Sequence, residues 1–184
     1  MNNMIMTEFV IRKGAHYSKH FPKLNCNAQD DFQFIVKFDE SCKYDLKDED
    51  QLDINKLFGT SFGFNHHKNS FRIGWAYNIK TNKIELYNYW YENSIRFSSL
   101  ITSVPINLKT IVSVKFHPKD INNYTLGDLG GYIETSVSAI GINPIKTTVP
   151  YDLENVPQYG LVLFPYFGGN KTAPHNIKIF LQVK

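Results

Sequence analysis

The sequence predicts an all-β protein, an antiparallel jelly-roll-like β-sandwich with at most one short helix. Three observations predict it. Aromatic residues make up 15% of the 184-residue chain, and with many Ile, Val and Thr they suit the pleated, half-buried surface of a sheet. From Asp31 onward apolar and polar residues alternate in short runs, the period of a strand. Turns rich in Asn, Gly and Pro separate these runs at the spacing of a sandwich or barrel. The length suits one domain with a substantial core, and no linker divides it. The expected organisation is an N-terminal arm or edge segment over residues 1–30 and a sandwich domain over residues 31–184.

The first stretch, "RKGAHYSKHFPK", carries Arg12, Lys13, Lys19 and Lys23 with His16 and His20. Two histidines at i and i+4 can begin a zinc site on a helix, but no HExxH or third ligand accompanies them. A solvated basic arm is expected, with a docking arm as its functional form, and no metal. Next, "DFQFIVKF" places Phe32, Phe34, Val36 and Phe38 on one strand face. "DLKDEDQLDINKLFG" is the candidate for a short helix or helical turn, with acidic residues at its start, Leu46, Leu52 and Leu57 sharing a face, and Gly59 closing it. Further strands are expected around 70–79, 83–92, 94–101, 110–117, 131–140, 158–164 and 176–183.

The segment "SFRIGWAYNIKTNKIELYNYWYENSIRFSSL" reads as a three-stranded meander. A two-residue turn at Thr81–Asn82 would set Asn78 opposite Glu85, Ala76 opposite Tyr87, Gly74 opposite Tyr89 and Arg72 opposite Tyr91. Ile79 would then face Ile84, Tyr77 would face Leu86 and Ile73 would face Trp90, on the core side. A turn at Asn93–Ser94 sets Arg96 beside Tyr91, Ser98 beside Tyr89 and Phe97 beside Trp90. The outward face would carry Tyr87, Tyr89 and Tyr91 with Arg72 and Arg96. Such a face is either a ligand platform, where aromatic rings pack on sugar rings and arginines attract an acidic group, or ordinary cross-strand packing. His66 and His67, just before it, point to opposite sides of an extended chain.

The closing "FPYFGGNKTAPHNI" looks briefly like a phosphate loop, but Asn170 precedes Lys171 and Pro165 stands where the first glycine should be. Ile177, Ile179, Leu181 and Val183 then alternate with Lys178, Phe180 and Gln182 as in a strand. A shaped loop is therefore expected, with Asn170, Lys171 and His175 either bracing it or reaching a ligand. Cys26 and Cys42 can be bridged or free. Net charge is +3 with no long run of like charges, which gives no support for a nucleic-acid or membrane partner. No span has the length of a membrane helix, and the apolar start, broken by Asn2, Asn3, Thr7 and Glu8, lacks a cationic n-region. The expected location is a virion, or an extracellular surface reached after lysis, with the cytoplasm as the alternative.

"HHKNSFRIGW", the aromatic hairpin after it and "PYFGGNKTAPHNIKIFL" resemble a small group of bacterial and phage proteins. By their strand pattern these are similar to concanavalin A-like sandwiches, the class of lectins and alginate-lyase-like enzymes. The resemblance covers roughly residues 31–184; the Arg-rich strand and Gln-Ile-His of typical alginate lyases are missing, and "YFGG" only echoes their Tyr-Phe-Lys-Ala-Gly. With the Tyr/Arg face and the missing motifs, the expected function is a non-catalytic recognition or structural module that binds a glycan or a protein subunit through that face, as a homo-oligomer or within a virion. The alternative is a polysaccharide lyase on an acidic glycan, with Tyr or His abstracting a proton and Arg neutralising a uronate carboxylate. The expected ligand-binding residues are Arg72, Tyr87, Tyr89, Tyr91 and Arg96 on the meander, His66 and His67 before it, and Asn170 and His175 in the closing loop. No cofactor is expected.

Overall fold

Twelve strands pair into two six-stranded antiparallel sheets in the computed structural model, which describes residues 5–119 and 131–184. Numbered in chain order, the first sheet runs β1 (Thr7–Ile11), β12 (Ile177–Val183), β3 (Phe32–Phe38), β8 (Thr110–His117), β9 (Tyr132–Ala139), β10 (Ile142–Pro150). The second runs β2 (Lys23–Asn25), β11 (Gly160–Leu163), β4 (Asn55–Ser61), β5 (Ser70–Asn78), β6 (Lys83–Glu92), β7 (Ile95–Pro105). Their inner faces make one core, in which Phe34 of β3 meets Phe58 of β4 at 5.3 Å and Phe38 meets Trp75 of β5 at 5.4 Å between ring centroids. Each such buried ring contributes about 1.5–3 kcal/mol relative to exposure. The architecture is the predicted jelly-roll-like sandwich.

Over "DLKDEDQLDINKLFG" the expected short helix or helical turn is only a turn. Glu49–Leu52 forms one 3-10 turn, and β4 begins at Asn55. Leu52 is 84% exposed, so the three leucines share no face. A second 3-10 turn, Glu40–Cys42, is the remaining helical element among the described residues. β10 was not expected because Pro144 and Pro150 interrupt it; as an edge strand it tolerates the missing donors. β1 and β2 draw the N-terminal stretch onto the edges of both sheets. His16 and His20 do not converge there: His16 Nδ1 meets the Phe167 carbonyl at 3.0 Å, while His20 packs on Phe9. Cys26 and Cys42 are free.

The β5–β6 register differs from the expected one by two residues. Asn78 pairs with Lys83, Ala76 with Glu85, Gly74 with Tyr87 and Arg72 with Tyr89; on the core side Tyr77 pairs with Ile84 and Phe71 with Trp90. The connection is Ile79–Asn82 rather than two residues, because the Asn78 side chain accepts from the N–H groups of Lys80 and Thr81 and wraps the wider turn. A slip of two preserves every face. At β6–β7 the turn is tight, with Asn93 and Ser94 both at positive φ, and Tyr91 pairs with Arg96, Tyr89 with Ser98 and Trp90 with Phe97.

Candidate functional site

On the outer face of the second sheet lies a cleft of about 450 Å³ lined by residues of β4, β5, β6 and β7 and of the loop after β11. Regular alternation would send Lys56 to the core. Instead β4 bulges between Lys56 and Phe58, so that Leu57 and Phe58 both enter the core and Lys56 turns outward opposite Gly74. Behind β4, Tyr166 pairs with Lys56 through two backbone hydrogen bonds of 2.8 and 2.9 Å, and it forms the far wall. The Lys56 amine lies 4.8 Å from the Tyr89 ring centroid and 5.8 Å from that of Tyr166.

Glycines make this arrangement possible. A Cβ on Gly168 would come within 2.8 Å of Lys56 Nζ and 2.5 Å of the Ile54 carbonyl; one on Gly59 would come within 2.6 Å of the Arg72 Cα. Gly168, the first glycine of the pair that mimicked a phosphate loop, thus gives clearance to a lysine. Over Gly74, the Ile54 side chain takes the space a Cβ would need and stands between the cleft and Tyr87.

The floor is cationic. Arg72 is 7% exposed; its Nη2 donates to the Phe164 carbonyl at 2.8 Å, and its buried Nε has no partner. Burial, opposed by the surrounding Tyr89, Tyr166 and Tyr91, lowers its pKa to about 10. Burial, with Arg72 and Arg96 beside it, lowers Lys56 to about 8. Burial, followed by His67, Arg72 and Lys56, lowers His66 to about 4. Burial and then the neighbouring Tyr91 hydroxyl push the Tyr89 phenol up, keeping it protonated. The lining residues include no carboxylate. The cleft therefore combines a site for an anion, an amine poised to lose its proton and a neutral phenol able to donate one.

Of the residues expected from the sequence, Arg72, Tyr89, Tyr91, Arg96, His66, His67 and Asn170 come together here. Tyr91 lies edge-on to Tyr89 at 5.9 Å and to His67 at 5.2 Å. Tyr89 is on the outward face but only 4% exposed, since Lys56 and Tyr91 crowd it. Tyr87 does not join them: its hydroxyl donates to Glu85 at 2.5 Å in a smaller neighbouring pocket. His175 braces the closing loop through Nε2 and the Ser41 carbonyl at 2.8 Å, and Lys171 pairs with Asp48 at 3.2 Å. Sequence reasoning missed Lys56, Ser70 and Tyr166. The nearest signal was "YFGG", whose tyrosine is the cleft wall.

No protein-family model matches the chain, and no curated protein does. Among solved structures, the marine PL-14 alginate lyase from Aplysia kurodai is similar in fold, with a TM-score of 0.61 and 15% sequence identity over 97% of this chain and 80% of that one.

Proposed function

We propose that the protein is a polysaccharide lyase that cleaves a uronate-containing glycan by β-elimination. The observation that carries this reading is Lys56, an amine held at a pKa of about 8 beside a buried arginine with an unpartnered donor. Arg72 receives the uronate carboxylate, which makes the proton on the adjacent ring carbon more acidic. The neutral Lys56 amine takes that proton. Tyr89, with Tyr91 beside it, donates a proton to the glycosidic oxygen as its bond to the ring breaks, leaving a carbon–carbon double bond conjugated with the carboxylate. His66, at about 4, is too weak a base for the same step. The shared fold with an alginate lyase supports the assignment of an acidic glycan as substrate.

The test is a panel of polyuronates followed by ultraviolet absorbance of the unsaturated product. Product is expected, at a rate that rises with pH through about 8 as Lys56 loses its proton. Lys56→Met should lower the rate about 10²–10⁴-fold. Retention of a polyuronate by the wild-type protein with no product would overturn the lyase reading and leave a glycan-binding module; retention of none would leave a face for a protein partner.

A further inference from the structure

The row of paired residues that runs through Lys56 is obstructed in one direction and continues in the other. Across β5 the Ile54 side chain fills the space over Gly74, so a chain lying over Lys56 meets an obstacle before Tyr87. In the other direction the row of paired residues continues from Lys56 to Tyr166 and from Tyr166 to Tyr17. Directly paired residues on neighbouring strands face the same way, so Tyr17 stands on the cleft side, about 10 Å from Lys56 at two strand spacings. Tyr166 between them is held by His16, which stacks on it at 5.3 Å and 11° while bonding the Phe167 carbonyl.

Tyr17 has no evident structural work. It is 65% exposed, and among the described residues its ring stacks on nothing and its hydroxyl has no partner. Lys19, two residues on, is exposed and takes part in no ion pair among the described residues. An exposed aromatic ring with an ammonium two residues along the chain suits the apolar face and the carboxylate of an acidic sugar.

We infer that Tyr17 and Lys19 form a further subsite, beyond the Tyr166 wall, for an acidic sugar unit of the polymer held in the cleft. This rests on the cleft being a glycan site. The N-terminal basic segment then lengthens the grip on a long chain and leaves the reacting unit untouched. Short oligouronates that fill only the cleft are indifferent to it; longer ones are not.

The experiment measures binding of short and long oligouronates to the full chain and to Tyr17→Ala, Lys19→Ala and Tyr17→Phe, with melting temperatures alongside. Both alanine variants should bind long chains roughly five-fold or more weakly, bind the shortest ligands as the wild type does, and melt with it; Tyr17→Phe should keep most of the affinity. Equal losses for short and long ligands, or no loss for either, would overturn the subsite while leaving the cleft intact. A wild-type protein that binds no oligouronate of any length would instead sink the cleft reading, and the subsite with it.

Discussion

Lys56 is a residue whose placement costs stability and whose chemistry requires that placement. Its folded pKa lies below that of a free lysine, so the unfolded chain holds more protons between about 8 and the ordinary value of 10.5. Stability attributable to this group therefore rises with pH across that window, and the full cost of burying the charge is felt below it. Lys56→Met should melt no lower than the wild type at neutral pH, and higher if the relief is complete, while losing turnover; a clearly lower melting temperature would mean the amine braces the fold. His66 has the same sign in a lower window, its neutral form favouring the fold above 6.5 and the benefit disappearing as pH falls toward 4. Gly59 is the counterpart among residues without chemistry. A Cβ there would run into the Phe71 carbonyl oxygen, which is backbone and cannot step aside. Gly59→Ala should cost about 1–3 kcal/mol or more in denaturant unfolding and disturb Arg72.

At the scale of elements, the bulge in β4 lets Leu57 and Phe58 both enter the core while Lys56 faces the cleft. Removing Leu57 would leave Lys56 opposite Gly74 and Phe58 opposite Ile73 in regular pairing, so the lysine keeps facing outward while the core loses a fully buried leucine. The deletion should cost about 2–5 kcal/mol in denaturant unfolding, as for a leucine lost from a core, and keep Lys56 aimed at the cleft; turnover lost from a folded deletion variant would show that the extra residue itself positions the lysine. The meander illustrates how much strand pairing tolerates. Its tight Asn93–Ser94 turn could be read from residue types that accept positive φ, whereas the β5–β6 turn is widened by the Asn78 side chain, a local bond invisible to turn-length rules. Because the slip was even, Trp90 still entered the core and Tyr89 and Tyr91 still faced the cleft.

For the whole molecule, the N-terminal stretch ties the two layers together. β1 covers β12 and buries Phe9 and Ile11, while β2 extends the other sheet beside β11. Between them Tyr17 pairs with Tyr166 and His16 stacks on it, behind the cleft wall. Truncation to Arg12 should expose the edge of β12, cost several kcal/mol through the loss of two buried side chains, and lower solubility, since an unpaired apolar edge invites association. A truncated chain with unchanged melting would show that β1 is dispensable.

The alternation in "DFQFIVKF" and in the meander is local information, because a strand half-buried against a core must repeat every two residues; sandwich class, core face and the Tyr/Arg face were therefore legible from the chain alone. Lys56 was not, because a bulge breaks the alternation that would have revealed its strand, and its acidic neighbours imitate a helix start. Nor was Tyr166, which becomes a wall only when two long-range pairings bring it between Lys56 and Tyr17. The perturbed protons of Lys56, Arg72 and His66 likewise arise from burial and from each other's charge, and residues this far apart in sequence acquire those only when the sheets close.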